Sequence, residues 1–123
     1  MDLRARRGLI GSKESDELYP VGRDILAKFA WQSNKGIDSK GEVYDKSQNN
    51  VKGPVEIDPT YTYQKNAYRV TKYAYYDAND NYLGEQVRYN TNIENVPMPY
   101  SNARYLRVQV VDVQRGLAIT RIA

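Results

Sequence analysis

The chain has 123 residues, of which 41% are hydrophobic and 27% are charged, and its formal net charge is +3 at pH 7. This length and composition are typical of one domain that can bury its own core. The chain contains neither cysteine nor histidine, which excludes disulfides, thiolate nucleophiles, the usual zinc sites and histidine-based catalysis. We therefore expect a binding or structural protein rather than an enzyme, with no cofactor and no bound metal.

Residues 1–30 are predicted to form an N-terminal docking or oligomerisation arm, followed by a domain at residues 31–123. Gly8 and Gly11 interrupt the start of the arm, so this part is either a disordered terminus or a peptide that orders against a larger assembly. For the second alternative the apolar and basic anchors are Leu3, Arg4, Arg6, Arg7, Leu9 and Ile10. No apolar run serves as a secretion signal or spans a bilayer, so we expect assembly in the cytoplasm and no membrane partner.

A short helix is predicted at the end of the arm. From Arg23 onward apolar residues recur at helical spacing, namely Ile25, Leu26, Phe29 and Ala30. This stripe is expected to pack on the main domain or on a neighbouring subunit. Residues 33–53, which follow, are rich in glycine and asparagine, and that composition predicts a loop-rich segment with only short strands.

The segment from Tyr61 to Leu83 holds seven of the twelve tyrosines, most of them two positions apart. Alternation at period two predicts a strand over residues 67–76 with one buried face. We expect the side with Val70, Ala74 and Tyr76 to meet the core. The opposite side, which carries the other tyrosines of this strand, is then expected to face outward.

The remaining elements also predict a β protein. Residues 77–81 are dense in Asp and Asn, which favour turns, and they predict a hairpin that returns at Tyr82. Residues 103–113 alternate as a central strand with Leu106, Val108 and Val110 on its apolar face. Many short strands without a long helix predict a mainly β fold, an antiparallel β-sandwich of jelly-roll type with an N-terminal arm and a short helix.

The order of these pieces resembles a jelly-roll module of tail and adsorption proteins from phages of Gram-positive hosts. The matching residues are Trp31 and Gly36, then Ile57, Pro59, Tyr61 and Thr62, then Tyr75, Tyr76, Asp77, Asn79, Tyr82, Leu83 and Gly84, and finally Ala103, Tyr105, Leu106, Arg107 and Val108. The resemblance implies a sandwich like a carbohydrate-binding module, often a virion part that touches host surface glycans. Many such sandwiches are structural spacers.

The candidate binding surface is a set of aromatic and polar side chains predicted to face outward. Tyrosine rings can stack on sugars while arginine and amide groups bond the hydroxyls. The predicted glycan- or protein-binding residues are Trp31, Arg69, Tyr73, Tyr75, Tyr105, Arg107 and Gln109. The alternative is that the tyrosines are ordinary cross-strand pairs and that Trp31 belongs to the core.

The sequence gives less support to three other functions, namely calcium binding, glycoside hydrolysis and single-strand nucleic-acid binding. Asp77, Asn79 and Asn81 match the start of a calcium loop, but Tyr82 and Arg88 stand where glycine and the distal glutamate are needed. Carboxylate pairs suited to glycoside hydrolysis occur only in turn-rich contexts. Lysines and arginines flank the tyrosines as in single-strand nucleic-acid binders, but neighbouring acidic residues oppose a polyanion.

The sequence thus predicts a non-catalytic phage virion component, either a head fibre, a decoration protein or a tail module, that displays its sandwich outward. Its expected partners are other virion proteins, copies of itself in an oligomer such as a trimer, and bacterial cell-surface polysaccharide. Two alternatives remain open: a dedicated carbohydrate-binding adhesion module of a tail or bacterial surface protein, and a single-strand nucleic-acid-binding protein.

Overall fold

The computed structural model describes residues 20–89, 91–112 and 114–123. The predicted docking residues lie outside the described residues, namely Leu3, Arg4, Arg6, Arg7, Leu9 and Ile10. The described part is mainly β and its strands pair antiparallel. The strands are β1 Gln32–Ile37, β2 Val43–Glu56, β3 Tyr63–Lys65, β4 Lys72–Tyr76, β5 Tyr82–Val87, β6 Glu94–Asn95, β7 Tyr105–Val111 and β8 Ile119–Arg121.

The strands form two sheets. The larger has the order β1-β2-β7-β4-β5, and the smaller has the order β6-β3-β8. Side chains from both sheets share one buried cluster, which we call the main core. Its fully buried members include Tyr63 and Ile119 from the smaller sheet and Tyr73, Tyr75 and Leu106 from the larger one. Burial of this apolar surface is the dominant stabilising term of the fold.

The predicted short helix is wrong, because no helix occurs among the described residues. Residues 21–29 form turns that pack on the domain, as the apolar stripe indicated, with Leu26 fully buried in the main core. The carboxylate of Asp24 accepts hydrogen bonds from the N–H groups of Leu26 and Ile119 at 3.0 and 3.1 Å. Two turns of helix are too short to be stable alone, so these contacts with β8 decide the local structure.

The loop-rich prediction for residues 33–53 is also wrong. This segment forms most of the β1–β2 hairpin, whose second strand, at 14 residues, is the longest in the described part of the chain. Its polar residues are compatible with a strand because much of the hairpin is exposed on at least one face. Asn34 and Gln48, with φ of 55° and 64°, interrupt the extended backbone where the β1–β2 register shifts. Asparagine tolerates such angles better than most residues.

The β4–β5 hairpin and strand β7 are confirmed, although β4 covers only Lys72–Tyr76 of the strand predicted over residues 67–76. In the hairpin turn, Oδ1 of Asp77 accepts hydrogen bonds from the N–H groups of Asn79 and Asn81, each at 2.9 Å. Asp80 adopts a φ of 64°. These local bonds from an aspartate to its own turn are the reason that Asp and Asn favour such turns.

The predicted orientation of β4 is wrong in one respect, because both faces of this strand are buried. The β4–β7 register places Tyr73 opposite Val108 and Tyr75 opposite Leu106, on the face turned to the main core. Residues directly opposite in paired strands share a face. The predicted surface therefore combined side chains from two opposite faces of the sheet.

Candidate functional site

The second face of the larger sheet carries the candidate site. It presents Lys72, Ala74 and Tyr76 of β4 beside Tyr105, Arg107 and Gln109 of β7. A smaller buried cluster lies here, which we call the second core, and it consists of Ile37, Val51, Ala74 and Tyr76. Because Ile37 is the last residue of β1, the far end of the β1–β2 hairpin folds over this face.

Three side chains of the sheet hold the hairpin end in place. The side-chain oxygen of Gln109 accepts a hydrogen bond from the N–H of Ile37 at 2.7 Å, and Nζ of Lys72 donates to the Ile37 carbonyl at 2.7 Å. The hydroxyl of Tyr76 donates to the Gly41 carbonyl at 2.6 Å. These bonds satisfy backbone groups that lie outside the ladder of strand hydrogen bonds.

A groove of about 440 Å³ opens between the hairpin end and the β4–β5 turn. Its walls and floor are Lys40, Gly41, Glu42 and Val43 of the hairpin end, Tyr76 and Arg107 of the sheet, and Asp80, Asn81 and Tyr82 of the turn. The lining is mostly polar, whereas small-molecule pockets are usually mostly apolar with a few convergent polar groups, so the groove suits a polar ligand.

Two tyrosines and an arginine form the floor of the groove. The guanidinium of Arg107 lies over the Tyr76 ring at 4.7 Å, and the Tyr76 and Tyr82 ring centres are 5.7 Å apart. Burial raises the pKa of Tyr82 to about 12, with the charge of Glu85 adding to the rise. Burial also raises the pKa of Tyr76, and the neighbouring Arg107 opposes that rise. Phenols are protonated at neutral pH with or without this rise, so it acts only at alkaline pH; the Tyr76 hydroxyl already donates to the Gly41 carbonyl.

The charged residues that line the groove balance one another. Lys40 and Arg107 carry positive charge, while Glu42 and Asp80 carry negative charge. Lys40, Glu42 and Asp80 are exposed at the rim, whereas Arg107 is half-buried. Among the described residues, no group of three or more acidic side chains lies close enough together to hold a metal ion.

The predicted binding residues fall in different places. Tyr73 and Tyr75 are fully buried in the main core, and Gln109 is buried under the hairpin, so their prediction as outward-facing ligand residues is wrong. Of the other two predicted residues on β7, Tyr105 packs against the second core and Arg107 lines the groove.

The last two predicted binding residues, Arg69 and Trp31, lie outside the groove. Arg69 is exposed in the loop before β4, at the opposite end of that strand from Tyr76. Trp31 is half-buried against the main core, with Nζ of Lys52 at 4.9 Å from its ring. Of the seven predicted binding residues, Arg107 alone thus lines the groove.

The sequence did not indicate Lys40 or Tyr82 as site residues, and it indicated Glu42 and Asp80 only as members of carboxylate pairs considered for glycoside hydrolysis. Asp80 belongs to a segment that the sequence marked as a turn, and the turn assignment alone gives no sign of a groove. Lys40 and Glu42 reach the groove only because the hairpin folds back over the sheet. No short-range signal predicts that contact.

A second hollow, of about 220 Å³, lies between the turns of residues 21–29 and the end of β2. Its lining includes Pro20, Ile25, Phe29 and Val55. Separately, none of the described segments forms an apolar helix of the length that a bilayer requires.

Comparison of the chain with protein-family models, with curated proteins and with solved structures finds no match. The interpretation of the groove therefore depends on its own geometry.

Gly41 has no side chain, which allows the hairpin end to approach the groove wall. Gly41→Ala is expected to disrupt this close packing and so to lower the stability of the fold. Gly41 has a φ of 78°, and a Cβ there would lie 2.3 Å from Cδ1 of Tyr82. Gly22→Ala is the matched control, because its φ is 83° but nothing lies within 4 Å of the added carbon. Both variants carry the backbone cost of about 1–2 kcal/mol, and only Gly41→Ala also carries the clash. Urea unfolding measures the difference, and equal losses in the two variants would contradict the close packing.

Proposed function

We propose that this protein is a non-catalytic structural component of a phage virion whose β-sandwich binds glycans of the host cell surface. The observation that carries the proposal is the groove, in which tyrosine rings, an arginine and short polar side chains converge. Sugars present both apolar ring faces and many hydroxyl groups, and such a lining offers partners to both. The balanced charge of the lining suits a polar ligand with many hydroxyls.

The position of the resembling segments supports the assignment to virion modules. One segment runs from Tyr75 to Gly84 and the other from Ala103 to Val108. They are distant in the sequence, but β4 pairs with β7, and Tyr76 lies opposite Tyr105. Each segment contributes to the groove, so the residues that carry the resemblance also form the proposed binding site.

A structural role in contact with other virion proteins has its own support. Of the seven large apolar side chains that are exposed in the described part of the chain, four are Tyr68, Val87, Tyr89 and Ile93, with exposed fractions from 43% to 69%. They lie on or near the loops at the end of the larger sheet that is opposite the groove. Exposed apolar side chains of this kind suit protein contacts, so one end would meet the particle and the other the host. A head fibre, a decoration protein and a tail module all fit this arrangement.

Removal of a groove aromatic is expected to weaken glycan binding. Tyr82→Ala should weaken binding to cell-wall polysaccharide, in a glycan array or a wall pull-down, by about tenfold or more, equivalent to about 1.4 kcal/mol. Tyr89→Ala is the matched control, because Tyr89 is 69% exposed and lies outside the groove. Circular dichroism checks that both variants are folded.

The proposal fails if the unaltered protein binds no glycan on the array and no cell-wall fraction. It also fails if Tyr89→Ala abolishes binding while Tyr82→Ala does not, because the ligand surface would then lie at the other end.

A further inference from the structure

Arg107 is a half-buried cation without a counter-charge. Among the described residues, Lys35 pairs with Asp45, Lys72 with Glu85 at 2.7 Å, and Arg88 with Glu94 at 3.9 Å. No described carboxylate lies within 4 Å of the Arg107 side-chain nitrogens. Its Nε is buried and has no hydrogen-bond partner in the described structure.

The Tyr76 ring holds this guanidinium in place from one side, at 4.7 Å. A ring contact of this kind involves the face of the planar guanidinium, while its N–H groups lie at the edge. Burying a cation without an anion costs free energy. A ligand that brings a negative charge to the Arg107 guanidinium would offset this cost.

The rim charges do not cancel this preference. Lys40, Glu42 and Asp80 are exposed, where water and salt screen their fields. Arg107 lies deeper, where the effective dielectric constant is lower and each interaction is stronger. The floor of the groove is therefore effectively positive although the formal charges of its lining sum to zero.

Within the proposed glycan-binding function, on which this inference rests, we propose that the groove selects sugars that carry a carboxylate, of the uronic-acid class. The carboxylate pairs with the guanidinium of Arg107, a geometry in which two parallel N–H···O bonds can form. The sugar hydroxyls then donate to the rim carboxylates of Glu42 and Asp80. Lys40 adds a second positive charge at the rim.

The test compares two probes of equal size, a trisaccharide of galacturonate and a trisaccharide of galactose, by isothermal titration calorimetry. The unaltered protein should bind the acidic probe at least about tenfold more tightly, and added salt should weaken that binding. Arg107→Gln should remove the preference, so that both probes bind with similar affinity. Arg107→Lys keeps the charge but loses the paired geometry, and it should retain only part of the preference.

Arg69→Gln is the matched control. It makes the same change in net charge at an exposed arginine outside the groove, and it should leave the preference unchanged. If Arg69→Gln removes the preference as well, the effect comes from overall charge and the inference is wrong. Thermal unfolding of each variant establishes that it is folded under the conditions of the titration.

The failure of this inference can be distinguished from the failure of the proposed function. If the neutral probe binds as well as the acidic one, and Arg107→Gln binds both like the unaltered protein, glycan binding stands and the carboxylate preference is wrong. If neither probe binds, and no sugar on a wider array binds, the proposed function itself is wrong.

Discussion

Tyr75→Ala is expected to lower the free energy of unfolding by about 3–5 kcal/mol, the range measured when a buried aromatic side chain is truncated. Tyr75 is fully buried in the main core, and its ring centre lies 5.5 Å from that of Tyr100. Its hydroxyl donates a hydrogen bond to the carbonyl of Pro97. Truncation therefore leaves a cavity and an unpaired carbonyl. Urea denaturation followed by circular dichroism measures the loss.

Tyr89→Ala is the control for this loss, because Tyr89 is 69% exposed and its truncation should change stability by no more than about 0.5 kcal/mol. Had Tyr75 faced solvent, as its place in the sequence suggested, the two variants would behave alike. Equal stabilities would therefore contradict the burial of this face of β4.

Replacement of a buried tyrosine by phenylalanine separates the contribution of the hydroxyl to stability from that of the ring. Tyr75→Phe should destabilise the protein by about 1–3 kcal/mol, because the Pro97 carbonyl loses its donor. The Tyr73 hydroxyl is buried without a hydrogen-bond partner in the described structure. Removing it is thus expected to leave stability unchanged or to raise it.

Unfolding at alkaline pH is the second large effect. The tyrosine residues whose pKa is raised by burial are Tyr63, Tyr73, Tyr75, Tyr76 and Tyr82. An unfolded chain loses these protons near the ordinary pKa of 10.0, while the folded chain keeps them. Their contribution to stability is thus fully present below pH 10.0 and decreases as the pH rises through the raised pKa values.

Tyr73 and Tyr75 dominate this pH dependence because burial raises their pKa values further than those of the other tyrosines. Each phenol that stays protonated in the fold costs about 1.4 kcal/mol of stability for every pH unit above 10. The two together remove about 3 kcal/mol at about pH 11, a large part of the stability of a small domain. Burial lowers the pKa of Lys65, which acts in the opposite sense as the pH approaches 10.5, but it is a single group.

A pH titration that follows tyrosinate absorbance and circular dichroism together tests this expectation. We expect a cooperative rise in tyrosinate absorbance that coincides with the loss of β structure, above about pH 11. Tyr73→Phe has one buried phenol fewer, so its transition should move to higher pH. If all twelve tyrosines titrated smoothly while the β signal persisted, these phenols would not be buried.

The register between β4 and β7 explains why the sequence predicted the strand but not its buried face. Alternation shows that Tyr73 and Tyr75 share a side, but not which side is covered. That depends on which residues of β7 lie opposite, and here Val108 and Leu106 do. Since the β1–β2 hairpin also covers part of the second face, neither side of β4 shows the polar pattern of an exposed face.

The burial of Lys65 is another feature that the sequence alone does not predict. This lysine is fully buried, and its Nζ donates to the carbonyls of Asn66, Tyr68 and Asn92 at 2.8, 2.6 and 2.7 Å. A lysine is rarely buried unless its charge has partners. Two of these three carbonyls are close to it in sequence, but the third is 27 residues away, and only the tertiary structure brings it there.

The candidate site was also predicted only in part, because it is formed by contacts between segments that are distant in the sequence. Arg107 was selected because it occurs beside aromatic residues on a clear strand, and the structure places it in the groove. Its partner ring, Tyr76, was assigned to the core, and in the structure it contributes to both the second core and the groove. Lys40 was not considered, and Glu42 was considered only as half of a possible carboxylate pair with Asp45, because both lie in a segment that the sequence described as loops.

The sequence by itself determined the features that depend on neighbours along the chain. These are the β class, the Asp77–Asn81 turn with its local hydrogen bonds, the alternation of β7, and the absence of the side chains used in thiol and imidazole chemistry. The tertiary structure alone decided which tyrosines are buried, how the β1–β2 hairpin folds back over the sheet, and that Arg107 lines a groove. These features depend on pairings between distant segments, whose free energy comes from burial and register that no local pattern records.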